Sequence, residues 1–289
     1  MISDEQQAEL RNRFNPDGTT LRKMQLKMVD MLKYFDDICK QHDIKYWLSS
    51  GTLLGAVRHG GFIPWDDDLD VEMLPEDYKK MCEVFSAIQH DDYVLQTHDT
   101  DPYFYRPCAK LRDKYSYIED YYCYDLNFKY RGIFIDVFCL EPGSLGKLVR
   151  ITGGFENKVL YKLATIKNRT LRNVLSKPLY FTLTNAVYPI LSFISRKCSD
   201  GRTYRHRMGM GFAKLRYAED LYPLTTVEFE GSTFPAPANT DNYLRKIYGD
   251  YMKLPSEEAR KAAVHAAVFD TQRDYTEYQI GRASCRERV

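Results

Sequence analysis

The sequence predicts an α+β fold, with helices packed on a mixed sheet, and three observations lead to this prediction. Apolar residues recur at helical spacing from Leu21 to Cys39, which indicates one long amphipathic helix. Short apolar runs at residues 46–48 and 93–96 are typical of strands. The run from Gly132 to Leu140 is almost continuously apolar, so it predicts a buried strand.

The composition is that of an ordinary soluble protein. Of the 289 residues, 44% are hydrophobic and 28% are charged, and the formal net charge is +1. These values exclude the disordered and membrane-spanning classes, and no nucleic-acid partner is expected. The start, Met1 to Gln7, lacks the basic residues and apolar core of a signal peptide, so a cytoplasmic location is expected.

The predicted helices begin at clear signals. After a turn at residues 15–18, Thr19 or Thr20 can cap the helix that follows, and its methionine-rich stripe is interpreted as core. Pro75 and two acidic residues start another helix, which runs to Ile88. A strand is expected from Tyr103 to Leu111, and Pro107 would place it at an edge or a bulge.

The stretch from Tyr46 to Val71 holds the strongest functional candidates. A short strand leads into the turn Ser49-Ser50-Gly51-Thr52, and a helix of about two turns follows before Gly60-Gly61 ends it. Backbone N–H groups in such a turn, backed by a helix N-terminus, can bind a phosphate. Ser50, Gly51 and Thr52 are therefore candidate phosphate-binding residues.

Four aspartates follow this helix: Asp66, Asp67, Asp68 and Asp70. If they lie on a strand, the side chains of Asp68 and Asp70 share one face about 7 Å apart. Carboxylates at this spacing suit Mg²⁺, which takes one or two protein carboxylates and adds water and substrate phosphate. A metal site beside a phosphate cradle indicates phosphoryl transfer, and the alternative is a merely solvated acidic loop.

Further candidates lie downstream. Asp136 stands alone in the predicted buried strand, where it must be paired, for example with an arginine, or bind a metal. Lys110 and Arg112 share a strand face, either to contact substrate phosphate or as an exposed basic edge.

A group of tyrosines suits either a pocket for a sugar, a base or a choline-like cation, or an ordinary strand surface. Its members are Tyr115, Tyr117, Tyr121, Tyr122 and Tyr124.

Three closely spaced motifs resemble those of the LicD family of phosphotransferases. They are Gly51-Thr52-Leu53-Leu54-Gly55, Arg58-His59-Gly60-Gly61 and Pro64-Trp65-Asp66-Asp67-Asp68-Leu69-Asp70-Val71. Segments near Phe229, Tyr243 and Tyr248 are also similar to the family's C-terminal part. The resemblance implies a nucleotidyltransferase-like fold, and fukutin and the fukutin-related protein are relatives.

The resemblance also implies a function. Asp68, Asp70 and Asp136 would be the catalytic residues and the ligands of Mg²⁺, with Mn²⁺ as a substitute. Residues that would bind the donor are Ser50, Gly51, Thr52, Arg58 and Lys110. The donor would be CDP-choline or a related CDP-alcohol. The acceptor would be a hydroxyl of a cell-surface glycan, as in lipopolysaccharide or teichoic acid biosynthesis.

Two alternatives stay open. The same carboxylates serve a nucleotidyltransferase, in which attack falls on the nucleoside-bearing phosphorus of a small molecule or sugar nucleotide. A non-catalytic, membrane-peripheral binding protein is the second alternative, although the presence of all three acids argues against it.

Changes in composition divide the chain. A catalytic core is expected at residues 1–146, a basic, mostly helical insertion at 147–207, and a C-terminal substrate-binding unit at 208–279. The insertion has thirteen Lys and Arg residues against two acids, which predicts attraction to an anionic surface such as the inner membrane face. Its uncharged run from Leu179 to Ser195 is short for a membrane span. Residues 280–289 resemble translated sequencing adapter, so a non-native tail and a missing true C-terminus are expected.

Overall fold

The computed structural model describes residues 2–120, 124–261, 266–270, 274 and 276. The helices before the insertion are α1 (Asp4–Phe14), α2 (Thr20–Gln41), α3 (Ser50–His59) and α4 (Pro75–Ala87). Those that follow are α5 (Gly146–Phe155), α6 (Tyr161–Ala164), α7 (Arg169–Thr182), α8 (Tyr188–Lys197), α9 (Ala218–Leu221), α10 (Thr240–Tyr248) and α11 (Glu257–Lys261). π-Helical turns join α5 to α6 (Glu156–Leu160) and α7 to α8 (Leu183–Val187).

The strands form one larger sheet, the hairpin of β9 and β10, and a separate antiparallel pair of β5 and β11. They are β1 (Trp47–Leu48), β2 (Asp70–Met73), β3 (Tyr93–Gln96), β4 (Ala109–Asp113), β5 (Tyr117–Asp120), β6 (Phe134–Pro142), β7 (Thr203–His206), β8 (Arg216–Tyr217), β9 (Thr225–Phe229), β10 (Ser232–Ala236) and β11 (Ala266–Asp270). The larger sheet has the order β1-β2-β6-β4-β3, with β7 paired to β6 and β8 to β7. Strands β2 and β6 are parallel and the other pairs are antiparallel, so the sheet is mixed and the α+β class is confirmed.

One face of the sheet is apolar and covered by helices. Along β6, Ile135 and Val137 are fully buried in the same core as the methionine stripe of α2, and α2 and α4 both contact this strand. Thr19 caps α2, because its hydroxyl accepts a hydrogen bond from the N–H of Arg22 at 3.4 Å. The stripe, which includes Met24 and Met28, is therefore core as predicted. The residues that alternate with Ile135 and Val137 face the opposite side, where the polar side chains lie.

Two expectations about strands are wrong. The strand predicted from Tyr103 begins only at Ala109, and it lies between β3 and β6 rather than at an edge. Pro107, which has no N–H to pair, stays outside the strand. The aspartate run is not a continuous strand either, because β2 begins at Asp70. The N–H of Asp66 donates to the carbonyl of Ile63 at 2.9 Å, which closes a turn instead.

The segment 147–207 is mostly helical up to Lys197, and its last part, β7, returns to the larger sheet beside β6.

Hairpin β9–β10 and helix α10 occur where the C-terminal patterns predict them. The carboxylate of Glu230, at the hairpin tip, accepts a hydrogen bond from Arg22 of α2 at 2.7 Å, which fixes the hairpin to the core. None of the described helices is both long enough and apolar enough to cross a membrane. The tail 280–289 lies outside the described residues.

Three members of the tyrosine group lie among the described residues. Tyr115 is exposed, Tyr117 is buried on β5 below the guanidinium of Arg131, and Tyr124 contacts Tyr161. The other two members, at positions 121 and 122, lie outside the described residues. The pocket interpretation stays a prediction.

Candidate active site

A row of polar side chains crosses the sheet on the face opposite α2 and α4. The parallel register of β2 and β6 sets Asp70 directly beside Asp136, and the antiparallel register of β6 and β4 sets Lys110 on the other side of Asp136. Paired residues of neighbouring strands point to the same face of a sheet. Two predicted acids and the predicted lysine therefore share one surface, although they come from three separate parts of the chain.

Asp136 forms an ion pair with Lys110. The lysine Nζ lies 2.7 Å from Asp136 Oδ1 and donates a hydrogen bond to Oδ2 at 2.8 Å. Nζ also lies 3.3 Å from the centre of the Phe134 ring, a cation–π contact. Burial lowers the pKa of Lys110, and Asp136 opposes that effect. The partner of Asp136 is thus a lysine rather than the arginine considered above.

The aspartates before and within β2 are crowded. Burial raises the pKa of Asp70 well above its usual range, and the charges of Asp68 and Asp136 add to the effect. Burial and the neighbouring charge of Asp68 likewise raise the pKa of Asp66. Like charges held together disfavour ionisation, and a cation placed among them would relieve the repulsion. The cluster is therefore electrostatically suited to a cation or to a partner that brings one.

Helix α3 begins directly beside these acids. Ser49 occupies the N-cap position without a side-chain cap, and Ser50 has a left-handed φ of 48°. Backbone strain of this kind is concentrated at functional sites. The hydroxyl of Thr52 accepts a hydrogen bond from the N–H of Asp70 at 2.8 Å, so Thr52 holds the strand that carries the acid. A Cβ at Gly51 would lie 2.9 Å from Asp66 Oδ2, so the first turn of α3 closely approaches that carboxylate.

Arg58 lies at the other end of α3 and has a structural contact. Its Nη1 donates to the carbonyl of Tyr251 at 2.6 Å, which ties the C-terminal unit to the core. Burial, followed by the charge of Arg260, lowers the pKa of Arg58 to about 10. The charge of Asp66 has the opposite effect on that pKa, so Arg58 interacts with the first acid of the aspartate cluster. Its role in donor binding stays a prediction.

Arg112 also has structural partners. Its Nε donates to Gln96 Oε1 at 2.8 Å, and its Nη1 donates to the carbonyl of Gly132 at 2.6 Å. The side chain is buried rather than part of an exposed basic edge.

A buried network next to Asp70 escaped sequence reasoning. Glu72, two residues further along β2, is fully buried and accepts hydrogen bonds from Arg216 at 2.6 Å and from Tyr243 at 2.7 Å. Its other neighbours are the indole N–H of Trp47, which donates at 3.2 Å, and His206, whose Nε2 lies 3.3 Å from Oε1. The pairing of a glutamate with an arginine so distant in sequence leaves no local signal.

Tyr248 is a second residue near the acids. Burial raises the pKa of its hydroxyl, and the charge of Asp70 is the next cause. The side chain nevertheless keeps 45% of its surface exposed, so its edge faces solvent beside the carboxylates. The only signal for Tyr248 in the sequence is its place in the C-terminal segment that resembles the LicD family.

The carboxylates of the site supply only some of the ligands that a magnesium ion needs. Among the described residues, no group of three or more His, Cys, Asp or Glu side chains is arranged to hold a metal ion. Magnesium needs just one or two protein carboxylates when substrate phosphate and water supply the rest. The crowded oxygens of Asp68 and Asp70 fit that requirement, and the three-carboxylate site with Asp136 stays a prediction.

A separate cavity of about 640 Å³ lies between α4 and the α7–α8 helices. Arg106, Arg207, Tyr78 and Tyr188 are among its lining residues. None of the predicted site residues lines it, so this cavity is distinct from the carboxylate row.

Comparison with known proteins agrees with the motifs. Residues 43–141 match the family model described as LicD/FKTN/FKRP, nucleotidyltransferase domain. The chain is 30% identical over 267 residues to the lipopolysaccharide cholinephosphotransferase LicD of Haemophilus influenzae, a match that covers 84% of this chain and 95% of that protein. The chain belongs to the LicD family.

The LicD-family resemblance is thus confirmed, and the matched region 43–141 contains every predicted site residue. The chain is also 44% identical over 45 residues to the human ribitol 5-phosphate transferase FKRP, across 16% of this chain and 9% of that protein. The LicD-type core therefore carries the carboxylate row.

Proposed function

We propose that this LicD-family chain transfers phosphocholine or a similar phospho-alcohol from a CDP-linked donor to a hydroxyl of a cell-surface glycan. The observation that carries the proposal is the Asp70–Asp136–Lys110 row beside the N-terminus of α3. The name of the Haemophilus influenzae relative, a lipopolysaccharide cholinephosphotransferase, supports the choice of group and acceptor. The matched family model supports a nucleotidyltransferase-like core for the sheet.

Each part of the site has a proposed task. Asp68, Asp70 and Asp136 would hold Mg²⁺, or Mn²⁺ in its place, which when bound supplies positive charge for the donor diphosphate. The N–H groups of Ser50 and Gly51, at the start of α3, would bind a phosphate oxygen.

Two groups of the sheet would act on the acceptor and the donor. Asp136 would accept the proton of the attacking hydroxyl, since its carboxylate lies on the same face as Asp70. Lys110 offsets the charge of Asp136 and could turn towards a phosphate when the donor enters. The hydroxyl oxygen forms the new bond to phosphorus, and CMP leaves.

The proposed place of action is the cytoplasmic face of the inner membrane, where the acceptor would be presented. Nine of the thirteen Lys and Arg residues in the segment 147–207 are exposed, so attraction to an anionic surface is available.

The test is a donor screen with CDP-choline, CDP-ribitol and CDP-glycerol, each with an acceptor glycan and with or without Mg²⁺. We expect metal-dependent CMP release with one donor, and loss of it in Asp70→Asn. Asp37→Asn is the matched control, because Asp37 is exposed on α2, away from the site.

Other results would separate the alternatives. Retention of the nucleotide on the acceptor, without CMP release, would show a nucleotidyltransferase. Absence of turnover with every donor and acceptor, in a folded protein, would reject the enzymatic proposal.

A further inference from the structure

The insertion exposes an unusual amount of apolar surface. Fourteen large hydrophobic side chains are exposed among the described residues, and ten of them lie in the segment 147–207. These ten form what is called here the apolar face: Ile151, Phe155, Leu171, Val174, Leu175, Phe181, Val187, Ile190, Phe193 and Ile194. A concentration of this kind marks an interaction surface rather than the scattered apolar residues found on most proteins.

Helices α7 and α8 pack Tyr188 and Leu191 on a buried cluster, but they also bury polar side chains and leave apolar ones exposed. Their buried side chains include Arg172, Ser176 and Ser195, while Val174, with 63% of its surface exposed, and Ile190, with 60%, face outward. The exposed apolar positions recur at helical spacing, as an outward-facing stripe requires.

The buried polar groups have partners, so the orientation is specified by the fold. Arg172 donates to the carbonyl of Ile166 at 2.8 Å and to the hydroxyl of Tyr103 at 3.1 Å. Ser195 accepts a hydrogen bond from Arg205 at 2.9 Å. Turning either helix over would leave these groups without partners, at a substantial cost in free energy.

Exposed basic residues occur in the same segment as the apolar face. The exposed cations of the segment are Lys147, Arg150, Lys158, Lys162, Lys167, Arg169, Arg196, Lys197 and Arg202. Of the two acids in the segment, Glu156 is buried and Asp200 alone is exposed. Exposed apolar side chains combined with many exposed cations and few exposed acids are the pattern of a helix that lies in the interface of an anionic membrane.

We propose that the apolar face inserts into the headgroup region of an anionic bilayer, with α7 and α8 lying along the surface. The inference deepens the proposed function by naming how the enzyme contacts the membrane, and it adds insertion of apolar side chains to charge attraction. A second copy of the chain fits the face less well, because nine exposed cations and a single exposed acid in each copy would repel one another.

The experiment measures partition of the full chain onto phosphatidylglycerol/phosphatidylcholine vesicles and onto pure phosphatidylcholine vesicles. Ile190→Ser combined with Phe193→Ser should reduce partition onto the anionic vesicles at least tenfold. Leu26→Ser is the matched control, because Leu26 is 45% exposed on α2, outside the insertion, and its loss should leave partition unchanged.

A charge variant separates insertion from attraction. Lys162→Glu combined with Lys167→Glu and Arg169→Glu should weaken binding at low salt, and this effect should fade at high salt. The effect of the serine variant should persist at high salt. Arg172 is left intact because it is buried. Circular dichroism checks that each variant is folded.

Unchanged partition of the folded serine variant would overturn the proposal, as would absence of binding by the parent protein. A concentration-dependent dimer abolished by the serine substitutions would also overturn it, in favour of a second copy. Turnover on a soluble acceptor is measured in parallel. A parent protein that turns over substrate but does not bind vesicles refutes only this inference, and a parent protein that binds vesicles without turnover refutes only the proposed function.

Discussion

Replacement of Glu72 by glutamine should strongly destabilise the fold, because it breaks a buried ion pair next to the candidate active site. Glu72 has no exposed surface, and its carboxylate accepts hydrogen bonds from Arg216 and Tyr243. Arg216 precedes α9 and Tyr243 lies on α10, so the network joins β2 to the C-terminal unit. The substitution keeps the shape of the side chain and removes its charge.

The expected loss follows from the burial of both partners. Removal of one member of a buried pair costs about 3–5 kcal/mol, because the other charge remains uncompensated. In a domain of this size each kcal/mol shifts the melting temperature by about 2–4 °C, so a decrease of roughly 6–20 °C is expected. Glu83→Gln is the control, because its pair with Lys79 is 3.8 Å long and exposed, and such pairs contribute about 0.5 kcal/mol or less.

Thermal denaturation followed by circular dichroism gives the comparison. A decrease for Glu72→Gln of no more than about 2 °C, similar to that of Glu83→Gln, would refute the buried-pair reasoning. A double variant with Arg216→Met should recover part of the loss, since no unpaired charge is then buried.

The same network predicts the response to acid. Although burial opposes ionisation of Glu72, the charge of Arg216 and the hydrogen bonds of the network hold its pKa below the usual range. A carboxylate of this kind stabilises the fold fully above its unfolded pKa of about 4.3 and loses that contribution as the pH falls further. Melting temperatures measured from pH 7 down to pH 3 should therefore decrease less steeply for Glu72→Gln than for the parent. Parallel curves would contradict this assignment.

Three further predictions concern the site and the tail. Asp68→Asn and Asp70→Asn should each reduce the rate of CMP release to less than about a tenth of the parent's rate. This corresponds to a loss of about 1.4 kcal/mol or more in transition-state stabilisation. Asp70→Asn should also raise the melting temperature, because its raised pKa shows that the charged form is disfavoured. If either variant keeps more than a tenth of the parent's rate of CMP release, the aspartate that it replaces is not a metal ligand. We expect the hydroxyl of Tyr248, which lies near Asp70, to donate a hydrogen bond to a charged group of the donor, so Tyr248→Phe should lower turnover about tenfold. Tyr251→Phe should not, because its hydroxyl donates to Asp241 within the C-terminal unit. Equal effects would argue against a role for Tyr248. Deletion of Ile280–Val289 should change neither melting temperature nor turnover, and a lower melting temperature would show that the tail packs.

The sequence by itself determined the elements whose signals are local. The 3.6-residue period and the cap at Thr19 specify α2, and Pro75 with its acidic neighbours specifies α4. The motifs around Asp68 and Asp70 also identified the LicD family before any tertiary contact was known. These signals lie within a few residues of one another, so no long-range information is needed to interpret them.

The tertiary structure decided how distant segments meet. The register between β2 and β6 sets Asp70 beside Asp136, and the next strand supplies Lys110 as its partner. Strand register depends on the packing of the whole sheet, so a single segment cannot reveal it. The pairing of Glu72 with Arg216 has the same origin.

Orientation of the insertion was likewise beyond the sequence. An amphipathic period shows that a helix has two different faces, but only the surrounding structure decides which face is buried. In α7 the polar Arg172 and Ser176 turn inward because Tyr103 and Tyr105 offer them hydrogen bonds. The apolar side chains are consequently left on the surface, and this is the face that we propose to insert into a membrane.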